Sequence, residues 1–250
     1  MVAYTDFASL YDEFMKETPY KEWCEMISSN LKEYGIKDGL VCELGAGTGK
    51  MTRLLRDKGF DMIGVDNSEE MLMVAKEHEG EKSDILYLCQ DMREFELYGT
   101  VRAVVSVCDC INYLLDDEDV IQTFKLVNNY LDPKGVFYFD FNTKYKYKTV
   151  IGDSTIAENL DDKAFIWDNF YDEESAINQY DITFFTKEKG SDLFKRFSET
   201  HLQRGYSLSE MKAFLKKAGL VFEKAFDVDT NGEVTKTSER IAVIARESGK

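Results

Sequence analysis

Val41-Cys42-Glu43-Leu44-Gly45-Ala46-Gly47-Thr48-Gly49-Lys50 is an apolar run that closes on three glycines spaced two residues apart. A run of this length reads as a strand, and residues 51–58 after it carry helical spacing, so the segment predicts strand, tight turn, helix. Glycines at 45, 47 and 49 let the backbone take positive φ and approach a ligand, and they offer free helix N-terminal amides. Working outward, short apolar runs at 40–44, 61–65, 85–89, 101–107 and 136–141 alternate with helical stretches near 51–58, 68–78 and 117–131. Such alternation implies right-handed crossovers and an α/β core around a parallel sheet covered on both faces.

Both flanks break this rhythm. Residues 4–34 place Phe7, Leu10, Tyr11 and Phe14, then Trp23, Met26, Ile27 and Leu31, at helical spacing interrupted near Pro19, which predicts two amphipathic helices. From about 157 to 201 the period becomes two (Phe165, Trp167; Tyr180, Ile182, Phe184), as in antiparallel strands inserted into the frame. A helix over 207–218 follows, with Ser207 and Glu210 spaced as a capping box and Gly219 as its stop. Two last strands, 221–228 and 241–246, are joined through the turn dipeptide Asn231-Gly232. The organisation is one domain over 1–250: an N-terminal helical lid at 1–36, a cofactor-binding core at 37–143, an inserted antiparallel β subdomain at 144–205, and a C-terminal helix and strands at 206–250.

Composition narrows the partners. The chain has 31 Lys+Arg against 47 Asp+Glu, a formal net charge of −16, which repels a polyphosphate backbone and argues against nucleic acid and anionic membrane. With no leader pattern and no apolar run of spanning length, a cytoplasmic protein is expected. Five cysteines without a Cys-x-x-Cys pair indicate neither a disulfide frame nor zinc. The acids between 153 and 181 read as a solvated face, since no His or Cys accompanies them, and no metal is expected. Lys144-Tyr145-Lys146-Tyr147-Lys148 reads as a short amphipathic helix with solvated lysines.

Asp66 ends the second strand, 17 residues after Gly49, where an acid accepts ribose hydroxyls; Asp91, in Cys89-Gln90-Asp91-Met92, follows the third strand. Three loops at the carboxyl ends of adjacent strands then line one crevice. A nicotinamide dinucleotide uses a similar turn and acid, but its fingerprint places a third glycine where this chain has Lys50. It also sets a pyrophosphate at the helix N-terminus, which Glu43 opposes. S-adenosylmethionine carries no phosphate but has an α-ammonium and a sulfonium, and an acid at 43 suits it. The readings ranked below it are a nicotinamide-dependent oxidoreductase, a catalytically dead binding module, and an RNA or protein methyltransferase that would need a basic groove.

Glu43 to Gly49, Asp66-Asn67-Ser68-Glu69-Glu70-Met71-Leu72, Gln90-Asp91-Met92 and Val104 to Leu114 resemble the successive motifs of class I S-adenosylmethionine-dependent methyltransferases. Nearly the whole chain, with Tyr11-Asp12 and Pro19-Tyr20-Lys21-Glu22-Trp23, is similar to a bacterial group of about this length. A more distant resemblance, covering the insertion and Arg196 to His201, is to amino-sugar N,N-dimethyltransferases, which carry a tyrosine where this chain has Met15. The resemblance implies a mostly parallel seven-stranded Rossmann-like sheet with helices on both faces, two N-terminal helices and an antiparallel β insertion after strand five. It also implies a cofactor set of Tyr20 and Trp23 on a lid, Glu43, Gly45, Ala46 and Gly47 at the turn, Asp66 and Asn67 at the ribose, and Met71, Gln90, Asp91 and Met92 at the adenine. Cys108 would lie beside the cofactor at the end of strand four.

The fourth strand delivers residues 108–113 to the mouth of the site, which gives Asp109, Asn112 and Tyr113 a claim on the second substrate, a small-molecule N or O acceptor. Each has a structural alternative: Asp109 as a helix cap, Asn112 as a loop tie, Tyr113 as core. His78 falls at a helix end, where a dipole contact explains it. His201 lies on an inserted strand that could fold over the cleft, so Tyr113, His201 and Asp109 are the candidate catalytic groups.

Overall fold

The computed structural model describes residues 12, 15–80, 83–188 and 190–250. The described elements are α1 (Tyr20–Glu33), β1 (Gly39–Leu44), α2 (Lys50–Asp57), β2 (Phe60–Asp66), α3 (Glu69–Glu79), β3 (Leu86–Cys89), β4 (Val101–Ser106), α4 (Asp117–Tyr130) and β5 (Leu131–Asn142). Then come β6 (Thr155–Asn159), β7 (Lys163–Asp172), β8 (Ile177–Lys187), β9 (Phe194–Arg204), α5 (Leu208–Ala218), β10 (Val221–Asp227) and β11 (Arg240–Arg246). The first of the two expected N-terminal helices lies, Asp12 apart, outside the described residues.

The main sheet has seven strands in the order β10-β11-β5-β4-β1-β2-β3. β1 to β5 run parallel, and β11 is antiparallel to both β5 and β10. Because β1 has β2 on one side and β4 on the other, the strand order reverses beside it, and the loops at its carboxyl end splay apart into a crevice. Both faces of the sheet are apolar, as buried parallel strands require. Phe124 and Phe214 from α4 and α5 pack with Phe137, Phe139 and Phe141 on one face, and Ile27, Leu31, Leu55 and Leu72 from α1, α2 and α3 cover the other.

β6 to β9 form a separate antiparallel sheet between β5 and α5. The cross-strand pairs Tyr180↔His201 and Trp167↔Ile182 place Trp167, Tyr180, Glu199, His201 and Gln203 on one face by period-two alternation. The capping box of α5 forms: Ser207 Oγ accepts the Glu210 amide and the Glu210 carboxylate accepts the Ser207 amide at 2.8 Å, with Gly219 ending the helix at φ 82°. Asn231 takes φ 53°, but its turn lies within the longer connection 228–239. There the Asp227 carboxylate accepts the Asp229 and Thr230 amides and fixes the start of the loop. No helix among the described residues is long and apolar enough to cross a membrane.

Candidate active site

The glycine turn takes the backbone geometry its sequence demands, with φ of 77°, 53° and 75° at Gly45, Gly47 and Gly49. Four of its amides are engaged within the turn and the strand beside it, while the helix proper begins only at Lys50. Those of Gly45 and Ala46 donate to the Val65 carbonyl, at 2.8 and 3.0 Å, and that of Gly49 to the Ala46 carbonyl. The Gly47 amide donates to Asp66 Oδ2 at 2.7 Å. A turn satisfied this way has little left for a pyrophosphate. A Cβ at Gly47 would meet nothing within 4 Å, so the open side of the turn is there. A Cβ at Gly45 would instead collide with Cys110, 2.8 Å from its Cβ. The glycine at 45 therefore admits the loop after β4, rather than leaving room for a ligand as the motif suggests.

Glu43 is 2% exposed and accepts the Thr52 hydroxyl from α2. Burial, reinforced by the Asp66 charge, pushes its carboxyl up to about 8. It thus braces strand against helix beneath the turn. Asp66 closes β2 at the crevice edge; besides Gly47 it accepts the Ser68 amide at 2.9 Å, and burial raises its carboxyl above the usual range. Asn67 follows it, Met71 starts α3 through its amide bond to the Ser68 hydroxyl, and the Gln90 amide donates to the Asp66 carbonyl at 2.9 Å. Asp91 accepts three bonds from Arg93, which hold its carboxyl below the ordinary range. Met92 packs against the core beside Gly45.

α1 lies against this edge. Lys50, the residue standing where a third glycine would be, places its ammonium 4.7 Å from the Tyr20 ring centroid. Trp23 meets Tyr20 edge to face at 6.0 Å and lies 5.1 Å from the Arg240 guanidinium. Asp12 accepts the Thr48 hydroxyl of the glycine turn and pairs with His78 on α3 at 3.2 Å.

The floor between β4 and β5 holds groups that the sequence reading did not single out. Cys108 and Asp109 both adopt left-handed backbone, φ 59° and 55°, a conformation that costs non-glycine residues about 1–3 kcal/mol each. It is held by Asp140, whose carboxylate accepts both amides at 3.2 and 3.0 Å. Arg240, from β11, donates to Asp140 at 3.0 Å and to Asp109 at 2.7 Å. The other Asp109 oxygen accepts Gln203 Nε2 at 2.6 Å, and Gln203 in turn accepts the Tyr147 hydroxyl at 2.6 Å. Cys108 sits at the end of β4 as expected, its thiol pushed well up by burial and the Asp140 charge.

Asn112 is the loop tie: its side chain bonds the Asn142 and Arg204 carbonyls and the Asn142 amide. Lys146 corrects the expectation of solvated lysines. Lys144 and Lys148 pair with Glu210 and Glu173 on the outside, whereas Lys146 turns inward, its ammonium 3.2 Å from Asn142 Oδ1 and its ionisation lowered by burial and by nearby Arg240. Tyr113 remains 44% exposed, yet burial and the Asp109 charge push its phenol well up. Its hydroxyl lies 2.8 Å from the Tyr180 hydroxyl and 3.3 Å from His201 Nδ1, and His201 Nε2 lies 3.1 Å from Glu199. His201 stacks on Tyr180 at 5.1 Å, and Trp167 packs against Tyr180 at 5.2 Å. Tyr113, Asp109 and His201 therefore meet at one end of the crevice, and the residues expected at a nucleoside gather at the other.

A parallel sheet with a glycine turn, a carboxylate ending β2 and a second carboxylate after β3 defines a nucleoside-binding α/β enzyme. Residues 41–135 match the methyltransferase-domain family. A Bacillus subtilis protein designated a methyltransferase, YqeM, is 37% identical over 246 residues, 98% of this chain and 97% of its own. A Geobacillus protein with the same designation is 31% identical over 98% and 100% of the two chains. The crystal structure of an S-adenosylmethionine-dependent methyltransferase from Clostridium acetobutylicum superposes with a TM-score of 0.87 at 29% identity, covering 98% of this chain and 99% of that one. CalS10 from Micromonospora echinaspora, described as an amino pentose methyltransferase, shares the fold with a TM-score of 0.75 at 14% identity, over 96% and 97%. The chain belongs to the S-adenosylmethionine-dependent methyltransferases, and S-adenosylmethionine is its cofactor. The residues present fit it: the turn is open at Gly47, and the Asp66 carboxylate stands beside it at the end of β2.

Proposed function

We propose that this enzyme methylates a nitrogen or oxygen of a small molecule held between the loop after β4 and the inner face of the insertion. The observation that carries this is the convergence of Tyr113 with Tyr180 and His201, which brings the inserted sheet over the crevice. The buried Trp167 indole N–H finds no acceptor among the described residues, so the same wall offers a ligand an unused donor. An amino pentose, the substrate class named for CalS10, is a small polar molecule that such hydroxyl and ring N–H groups could bind.

When bound, S-adenosylmethionine supplies an electrophilic methyl group on a sulfonium. The chain's part is to hold and to shield. Asp66 holds the ribose hydroxyls, with Asn67 beside it. Met71, Gln90, Asp91 and Met92 flank the adenine, while Gly45, Ala46 and Gly47 with Cys108 surround the methionine end under a lid carrying Tyr20 and Trp23. Glu43 braces the turn, and Asp109, engaged on both oxygens, fixes the floor. Orientation of this kind supplies up to roughly 7–11 kcal/mol of a barrier. An RNA or protein acceptor is disfavoured by the net charge of −16.

The test uses purified protein, a labelled methyl donor and a metabolite extract. Label should enter a low-molecular-weight product, and calorimetry should show binding of S-adenosylmethionine but not NAD. Label entering only RNA or protein would overturn the reading.

A further inference from the structure

We infer that Tyr180, Tyr113, His201 and Glu199 form a directed proton wire that deprotonates the acceptor as its methyl group arrives. The inference rests on the small-molecule reading above and names the chemical class of acceptor: one whose attacking nitrogen or oxygen carries a proton that must leave.

Hydrogen-bond logic fixes the direction. The Glu199 carboxylate only accepts, so the proton between it and His201 belongs to Nε2. The neutral imidazole then has Nδ1 bare, and Nδ1 accepts from the Tyr113 hydroxyl at 3.3 Å. A phenol has one donor and two lone pairs. Having spent its donor on His201, Tyr113 accepts the Tyr180 hydroxyl at 2.8 Å and keeps one lone pair. That lone pair belongs to a residue that is 44% exposed. The two phenol links point toward the imidazole, and its Nε2–H points on to Glu199.

Neither phenol serves as the base itself. Burial and the Asp109 charge hold Tyr113 protonated, and burial and its bond to Tyr113 do the same for Tyr180. The titratable groups against His201 include Glu199 on its own strand, Tyr180 on β8 and Tyr113 after β4, with Asp109 as the nearby charge on the two phenols.

The step balances. The acceptor's N–H or O–H proton moves to the Tyr113 oxygen as the phenolic proton passes to His201 Nδ1. A lone pair of the attacking nitrogen or oxygen forms the bond to the methyl carbon, the N–H or O–H bonding pair stays on that atom as its new lone pair, and the carbon–sulfur bond breaks with its electron pair left on sulfur. S-adenosylhomocysteine departs neutral at sulfur, and the imidazolium, paired with Glu199, returns its proton to water.

Two measurements test this. The first needs no acceptor: long-range proton–nitrogen NMR of uniformly labelled protein at pH 8, with His201 assigned by its loss in His201→Gln, should show the Nε2–H tautomer. The Nδ1–H tautomer reverses the wire and overturns it. The second uses the product-forming acceptor from the metabolite screen. His201→Gln and Tyr113→Phe should lower kcat by about a hundredfold or more, as loss of a general base does, with acceptor KM and S-adenosylmethionine affinity within twofold. Wild-type kcat should level off above neutral pH while that of His201→Gln keeps climbing with hydroxide. A variant that retains the wild-type pH profile overturns the wire while leaving the function intact. Wild-type protein that methylates nothing overturns the function, and the tautomer is read independently of it.

Discussion

Glu43 shows how burial sets ionisation at single residues. Its folded carboxyl is pushed up to about 8 from 4.5, so between those values the folded chain binds a proton that the unfolded chain has released. The stabilisation is complete below about 4.5 and is lost as pH rises through 8. Glu43→Gln keeps an oxygen for Thr52 without the ionisable proton. Its melting temperature should match the wild type near pH 4.5 and rise above it progressively toward pH 8; a difference independent of pH would exclude this origin. Asp66 lies on the other side of the turn, and Asp66→Ala should weaken S-adenosylmethionine binding by about 1.5–3 kcal/mol for each charge-assisted bond lost. Unchanged affinity by calorimetry, with native circular dichroism, would remove Asp66 from the cofactor's contacts.

At the scale of elements, the loop after β4 is held from three strands, β5, β11 and, through Gln203 on Asp109, β9. Asp140 on β5 fixes the left-handed Cys108 and Asp109 by accepting their amides, and Arg240 on β11 binds both carboxylates. Removing one member of a buried ion network leaves the others uncompensated, which typically costs about 3–5 kcal/mol. Asp140→Asn should lose stability of that order in urea unfolding; a loss below about 1 kcal/mol would mean that the loop holds its shape without the network. Strand, turn and helix were legible in the chain because each is encoded locally: glycines at 45, 47 and 49, an acid at 66, the Ser207–Glu210 box before Gly219. The floor was not, because Asp109, Asp140, Gln203 and Arg240 come from four separate places and meet only in the fold. One local signal existed. Asp140 is an acid inside the apolar run 136–141, and a charge there must be paired. The partners of the turn's amides and of Lys146, Val65 and Asn142, are hidden in the sequence for a related reason, since packing and not the motif decides them.

Over the whole molecule the net charge of −16 is a repulsive field that folding concentrates. Salt screens it, with a Debye length near 10 Å at 0.1 M and about 3 Å at 1 M. The melting temperature should therefore rise when sodium chloride is increased from about 10 mM to 0.5 M. A flat or falling response would show that local ion pairs such as Arg240 with Asp109 and Asp140 outweigh the global field.

The position of Arg240 also bears on the order in which the chain matures. It lies 100 residues after Asp140 and 131 after Asp109, and its strand is the one that covers the open edge of β5. On the ribosome the first five strands emerge with two acids facing each other and no counter-ion, and β5 keeps an unpaired edge until β11 arrives. The residues proposed for the nucleoside are encoded early and the floor beneath the proposed acceptor is completed late, so on that reading a nascent chain gains a grip on the methyl donor before it can present anything to receive the methyl group.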